Sequence, residues 1–342
     1  WRGPARAPAP RVPDARPACE PLYFTVPDDL LASKPPVTVP RVDIEDPGDA
    51  GLQHFFEAFA RVVRKQGEPV ARIGLYGDSN WTADWASGAM RRLLQTRWGD
   101  AGHGFVSPVR PWGWYQHLDV EHASQPGAWR AFSVSQYKVP DRRYGLAGIV
   151  GQSLRQGAWA TVGTARAPAT IGQKTEHFEV FYLRHDESGK LGIELDGKAL
   201  PEVPTLSEHP AAGYHRIEVP DGAHRLRITQ AGFHPVRVFG VVMERRGPGV
   251  VLDNLSVTAL NCWHLTQLDQ VLMKEHLAHR GYALIIDTTG TNLWAAASPP
   301  VWMRSVIAAW REAVPKHSCL LVSPPDQAHA QGGGFVAEPR MK

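Results

Sequence analysis

The sequence predicts an α/β fold interrupted by a β-sandwich, and three observations carry that expectation. The apolar run Val70–Tyr76 stops at Gly77-Asp78-Ser79 and gives way to helical spacing over Ala83–Trp98, the pattern of a buried parallel strand feeding a helix. From about Leu118 to Arg246 the texture changes to short alternating runs separated by turns, with no helical periodicity between them. At Val250, short apolar strands alternating with helices resume. One α/β domain carrying an insertion accounts for this order more simply than three independent domains. Residues 50–117 and 247–342 then form the α/β part, 118–246 an inserted jelly-roll-like β-sandwich, and 1–49 a Pro-rich arm.

Taken in order, the elements each have a local reason. Phe55, Phe56, Phe59, Val62 and Val63 fall at helical spacing and predict a helix over His54–Lys65 that packs on the strand at Val70. Gly99–His117 is dense in Gly, Pro, Trp and His and reads as a long irregular loop. Strands are expected at Phe178–Arg184, Gly192–Leu195, His215–Val219, Arg225–Thr229 and Val236–Glu244, with Asp196-Gly197 and Asp221-Gly222 as turn dipeptides. Beyond the insertion, strands are expected at Val250–Leu252, Ala283–Asp287 and Cys319–Ser323, and helices at Leu265–Arg280 and Pro299–Val314. Pro299 and Pro300 suit a helix start, where a missing N–H costs nothing.

Composition narrows the function. The chain has 342 residues, 43% of them hydrophobic, enough for two cores, and no run of 18 apolar residues suggests a membrane span. A formal charge of +3 with scattered Lys and Arg is too small for this length to imply a nucleic-acid footprint, and no nucleic-acid partner is expected. Cys19, Cys262 and Cys319 are too few for a disulfide framework and lack metal-ligand spacing. His276 and His279 share a helix without a third ligand, and His103, His117 and His122 fall in irregular segments, so no metal or cofactor is expected. The first 18 residues are rich in Pro, Ala and Arg and lack the apolar centre of a signal peptide, which reads as a mature or trimmed chain.

Two turns at strand ends carry the chemistry. Ser79 is expected at the N-terminus of the helix after Val70–Tyr76, where unpaired N–H groups and the helix dipole would stabilise an oxyanion. Its plainer role is a helix cap. Thr289-Gly290-Thr291-Asn292 follows the strand Ala283–Asp287. The carboxyl ends of parallel strands share one edge, so Asn292 can converge on Ser79 and donate a side-chain N–H, or simply make a turn. Trp112, Trp114 and Tyr115 in the long loop would either stack on sugar rings or plug the junction between the two parts.

Gly77-Asp78-Ser79 and Gly290-Thr291-Asn292, each after a strand, resemble the first and third sequence blocks of the SGNH (GDSL-type) hydrolases. The interrupted layout, together with Gly99–Val106, Arg110–His117, Arg237–Arg245 and Pro248–Ser256, resembles the bacterial peptidoglycan or polysaccharide O-acetylesterases of that family, which carry an inserted carbohydrate-binding-module-like β domain. The resemblance covers roughly residues 50–330.

The resemblance implies a three-layer α/β sheet sandwich and a cell-envelope or extracellular serine esterase that removes O-acetyl groups from a polysaccharide, in a periplasmic, outer-envelope or secreted setting and without a cofactor. By it, Ser79 is the nucleophile and Asn292 the side-chain oxyanion donor. A glycine N–H from the second block, matching Asp253–Ala259, completes the hole. Here Ser256 or Ala259 stands where that glycine is expected. Family members close on Asp-x-x-His before a final helix, the histidine being the general base; Asp326-Gln327-Ala328-His329 matches the letters without the final strand and helix. Three expectations therefore stand side by side. The missing block lies on a separate segment or partner chain, Asp326 and His329 serve in a short version, or the chain is a degenerate hydrolase that binds glycans without cleaving them.

Overall fold

A computed structural model describes residues 43–46, 48, 50–293, 299–325, 328–331 and 334–337. The chain divides into two units, Trp1–Ile44 and Glu45–Lys342; Asp43 and Ile44 are the described residues of the first, and the arm expected over 1–49 lies largely outside the description. All elements below belong to the second unit.

They run α1 (Gln53–Arg64), β1 (Val70–Tyr76), α2 (Trp85–Trp98), β2 (Gly104–Val106), β3 (Val120–Ser124), β4 (Trp129–Ser133), β5 (Ile149–Ser153), β6 (Trp159–Thr164) and β7 (Thr175–Arg184). Next come β8 (Lys190–Leu195), β9 (Lys198–Pro204), β10 (Ala211–Gly222), β11 (Arg225–Ala231), β12 (Arg237–Glu244), β13 (Gly249–Asn254), α3 (Cys262–Thr266) and α4 (Gln270–Arg280). The chain continues with β14 (Leu284–Asp287), α5 (Pro299–Ala313), β15 (Ser318–Leu321), β16 (Ala328–Gln331) and β17 (Gly334–Ala337).

Strands β13, β1, β14 and β15 form a parallel sheet in that order. Because side chains alternate along a strand, Ile73, Leu75, Val250, Leu252, Leu284 and Ile286 share one face, under Phe55 and Phe59 of α1 and Met90, Leu94 and Trp98 of α2. Tyr76 and Ile285 take the other face, with Leu272 and Leu277 of α4 and Val306 and Trp310 of α5. Tyr76 stacks on Trp310 with ring centroids 5.2 Å apart. Helices thus cover both faces, which is why these strands read as continuous apolar runs. Among the described residues β15 pairs with β14 alone, while β16 and β17 pair with each other. None of the described helices is long and apolar enough to cross a membrane.

Two antiparallel sheets make the insertion. One orders β10-β7-β12-β5-β4, with β2 also paired to β12; the other orders β3-β6-β11-β8-β9. Phe178, Val180, Tyr182 and Met243 of the first pack on Val162, Leu191, Ile193, Leu226 and Ile228 of the second. The far side of β7, with Phe181 and Leu183, enters the same core as α4. The first sheet is therefore buried on both faces, whereas β11 alternates exposed and buried as a one-sided strand should.

Three expectations are corrected. Gly104–Val106 is a strand of the insertion rather than part of an irregular loop, so the insertion's pairing begins ahead of residue 118. The helix expected over Leu265–Arg280 is two helices. Asn261 caps α3 by accepting from His264 N, and Asp269 caps α4 by accepting from Val271 N and Leu272 N. Asp221-Gly222 ends β10, where Gly222 still pairs with Thr175, whereas Asp196-Gly197 does form the β8–β9 turn with both residues at positive φ.

Candidate active site

Four loops leave the carboxyl edge of the parallel sheet, and the first carries Ser79. Gly77 is required by close approach: a Cβ there would stand 2.6 Å from Ser256 Oγ and 2.7 Å from the Trp81 ring. Asp78 is fully buried and its Oδ1 accepts from Asn80 N at 3.0 Å, leaving Oδ2 without a partner among the described residues. Ser79 and Asn80 are exposed. Ser79 does not sit at a helix N-terminus, contrary to expectation. A turn over Ser79–Ala83 intervenes, with Thr82 Oγ1 donating to Ser79 O at 3.1 Å, and α2 begins only at Trp85.

The reason is Asp84. Its carboxylate makes no helix cap because it is fully buried and occupied elsewhere, accepting from Ser87 Oγ, both terminal nitrogens of Arg91, Leu118 N and Asn254 Nδ2. That clamp holds Asp84 at φ 59° and delays the helix. Burial alone would raise its pKa, but the Arg91 charge prevails and keeps the carboxyl well below the ordinary range. The helix field fades within one turn, so it contributes nothing useful at Ser79.

The second loop follows β13. Leu255 N donates to Leu75 O and Val257 N to Gly77 O, so it runs alongside the Ser79 turn. Ser256 is buried with its Oγ unpartnered among the described residues, and its N–H is already given to Asn254 Oδ1 at 3.2 Å. The N–H expected to serve the oxyanion is thus engaged within its own loop. Ala259, the other position where glycine was expected, has φ 60°. Asn254 joins the two loops, since its Nδ2 also donates to Trp81 O and Ser87 Oγ.

The third loop follows β14. Asn80 Nδ2 donates to Thr291 Oγ1 at 3.2 Å, which ties it to the Ser79 turn. Asn292 Nδ2 donates to Leu260 O at 3.3 Å and its backbone carbonyl accepts from Asn261 Nδ2, so it braces the second loop and keeps one side-chain N–H uncommitted among the described residues. Asp287, at the strand end, is buried and accepts from Thr289 N at 3.1 Å. Burial pushes its pKa up to about 6; the Thr289 hydrogen bonding opposes this and the Asp78 charge adds to it.

The fourth loop, after β15, lies against the third, because a Cβ on Gly290 would fall within 2.5 Å of Pro324. Asp326 lies outside the described residues. His329 contributes backbone to β16, paired with Val336. No hydrogen-bond partner of Ser79 Oγ exists among the described residues, and no cluster of three or more His, Cys, Asp or Glu among them suits a metal.

The aromatic loop divides. Tyr115 is buried, its hydroxyl accepting from Ser107 N and bonded to His117 Nε2, both at 3.1 Å, with Trp112 edge-on at 5.5 Å against the same core. Trp114 is 59% exposed. Tyr115 is thus packed inside, Trp112 is partly buried against the same core, and Trp114 is exposed. Sequence reasoning passed over Asp84, Asn254 and Asp287; an Asp two positions past Thr82 or at the end of an apolar strand carries no local sign of burial.

The fold has known counterparts. A structure of a peptidoglycan O-acetylesterase superposes with a TM-score of 0.67 at 18% identity, covering 84% of this chain and 77% of that one. The chain has an esterase-like fold. Its likeness to a family two carbohydrate esterase from Clostridium thermocellum in complex with cellohexaose has a TM-score of 0.22 at 9% identity over 60% of this chain and 79% of that one. A family 6 carbohydrate-binding module gives 0.24 at 10% identity over 36% and 87%. Both are too loose to carry an argument. No protein-family model and no curated protein matches the sequence.

Proposed function

We propose that the chain is a serine ester hydrolase of the SGNH three-layer type that removes O-acetyl groups from a cell-envelope or extracellular polysaccharide. The observation that carries the reading is the exposed Ser79 on a turn braced by the next two loops of the same sheet edge, through Val257–Gly77 and Asn80–Thr291. The esterase-like fold supports it.

In this reading Ser79 Oγ attacks the acetyl carbonyl. The Ser79 N–H and the uncommitted N–H of Asn292 stabilise the oxyanion, the sugar hydroxyl leaves, and water then releases acetate. With Ser256 N–H held by Asn254, this hole has two donors. The proton from Ser79 passes to His329, oriented by Asp326, or to a histidine on a segment that pairs with the edge strand β15. The test is fluorophosphonate labelling of the intact chain together with acetate release from an O-acetylated polysaccharide. Both should be present in the wild type and lost in Ser79→Ala. An unlabelled Ser79 in a chain that binds polysaccharide would instead support the second reading, a glycan-binding protein on a degenerate hydrolase fold. The engaged N–H and unpartnered Oγ of Ser256 favour that alternative.

A further inference from the structure

The outer face of the five-stranded sheet bears charged groups that the site at Ser79 does not use. Opposed residues on neighbouring strands share a face. Glu121 pairs with Gly163 and Gly163 with Arg225, so Glu121 and Arg225 lie on the side away from the Val162–Leu226 core. A cavity of about 380 Å³ at this end of the sheet is bounded by Arg110 and Gln116 of the aromatic loop, by Glu121 and His122 of β3, by His117 and by Arg225. Its volume suits a ligand of one or two sugar rings.

The charges in this wall do not cancel. Glu121 is answered by Arg166. The guanidiniums of Arg110 and Arg225 have no ion-pair or hydrogen-bond partner among the described residues; Asp196 holds Arg225 by its backbone N–H and carbonyl. The histidines add polarity without charge. His117 Nδ1 bonds His103 Nε2 at 3.1 Å and its Nε2 bonds Tyr115 OH, while His122 is buried with Nδ1 unpartnered. Burial holds His117 down at about 4 and His122 at about 3, each with further contributions from neighbouring charges, so both rings are neutral at pH 7. The Gln116 amide supplies a hydrogen-bonding edge suited to hydroxyl groups, and two unpaired guanidiniums supply the fork geometry suited to a carboxylate.

We propose that this cavity is a saccharide-binding site specific for sugars carrying a carboxylate, of the uronate type, with Arg110 and Arg225 clasping the acid group. That the ligand is a sugar rests on the polysaccharide reading above; that it is an anion rests on the guanidiniums.

The experiment is calorimetric titration of the intact chain with glucuronate-containing oligosaccharides, with neutral glucose oligosaccharides of equal length, and with sodium sulfate. Arg110→Gln and Arg225→Gln are compared with the wild type; both side chains are exposed, so folding should be unaffected. The acidic oligosaccharide should bind at least about tenfold more tightly than the neutral one, and each variant should lose about tenfold for the acidic ligand while leaving the neutral one unchanged. Equal affinity for acidic and neutral ligands, or wild-type affinity in the double variant, overturns the proposal. So does displacement by sulfate at the same concentration as by the oligosaccharide, which marks a bare anion site. These outcomes are independent of Ser79. A chain that binds uronates but resists fluorophosphonate labelling would lose the esterase reading and keep this one.

Discussion

Arg280→Met should be among the most damaging single substitutions in this molecule. Arg280 lies buried at the end of α4, between the parallel sheet and the insertion. Its Nε donates to Asp253 Oδ2 at 2.9 Å and its terminal nitrogen to Glu244 Oε1 at 2.7 Å, joining β13 to β12. Arg72 of β1 binds Glu244 from the other side at 2.8 Å, so two cations face two carboxylates in a neutral cluster. Burial by itself would raise Glu244, but Arg280 and Arg72 outweigh it and hold the carboxyl below the ordinary range. With methionine at 280 the volume is largely kept, but one negative charge is left buried without compensation. Asp253 retains Phe105 N at 2.8 Å and Tyr282 OH at 2.5 Å, which softens the loss. Breaking a buried pair from one side costs about 3–5 kcal/mol, against a total of roughly 5–15 kcal/mol for a typical protein. Urea unfolding at pH 7.5 should register that loss. Arg280→Met with Asp253→Asn restores neutrality and should recover at least half of it. A loss below about 1 kcal/mol, or a double variant no better than the single one, would refute this account of the cluster.

Three other outcomes can be checked. Ala259→Gly should stabilise the chain by about 0.5–1 kcal/mol, since φ 60° strains a Cβ by more than glycine's extra chain freedom costs; an unchanged urea midpoint would count against strain there. Asp287→Asn should stabilise by on the order of 2–3 kcal/mol at pH 8 and by little at pH 4, because a carboxyl raised from 3.8 to about 6 penalises the fold only once it ionises; unfolding curves at the two pH values decide it. Ser79→Ala should abolish fluorophosphonate labelling yet leave the unfolding free energy within about 0.5 kcal/mol of the wild type, because the side chain is exposed and away from any packed feature.

Much of the fold was legible because local pattern reports local structure. The run Val70–Tyr76 could hardly be anything but a strand buried on both faces, and Asp196-Gly197 makes the turn its type demands. Legibility failed wherever a side chain was claimed by something distant. Asp84 gives no sign in sequence of its burial, yet Arg91, Leu118 and Asn254 take its oxygens, and the last of these lies 170 positions away. Ser256 looks like a serine in a glycine's place; only the assembled edge shows its N–H turned to Asn254 and its Oγ set against Gly77.

By itself, then, the sequence determined that a parallel α/β sheet is interrupted by a sandwich, and that Ser79 and Asn292 stand at strand ends that share one edge. Periodicity and turn chemistry depend on neighbours a few positions apart, so they survive in one dimension. Tertiary structure alone decided that Ser79 sits on a turn rather than at a helix N-terminus, that Asn292 braces a neighbouring loop, that Trp112 and Tyr115 pack against the core, and that Arg110 and Arg225 share a cavity. Those are questions of which charges and donors meet after the chain has closed, and burial then sets their strength by removing the water that would otherwise screen them.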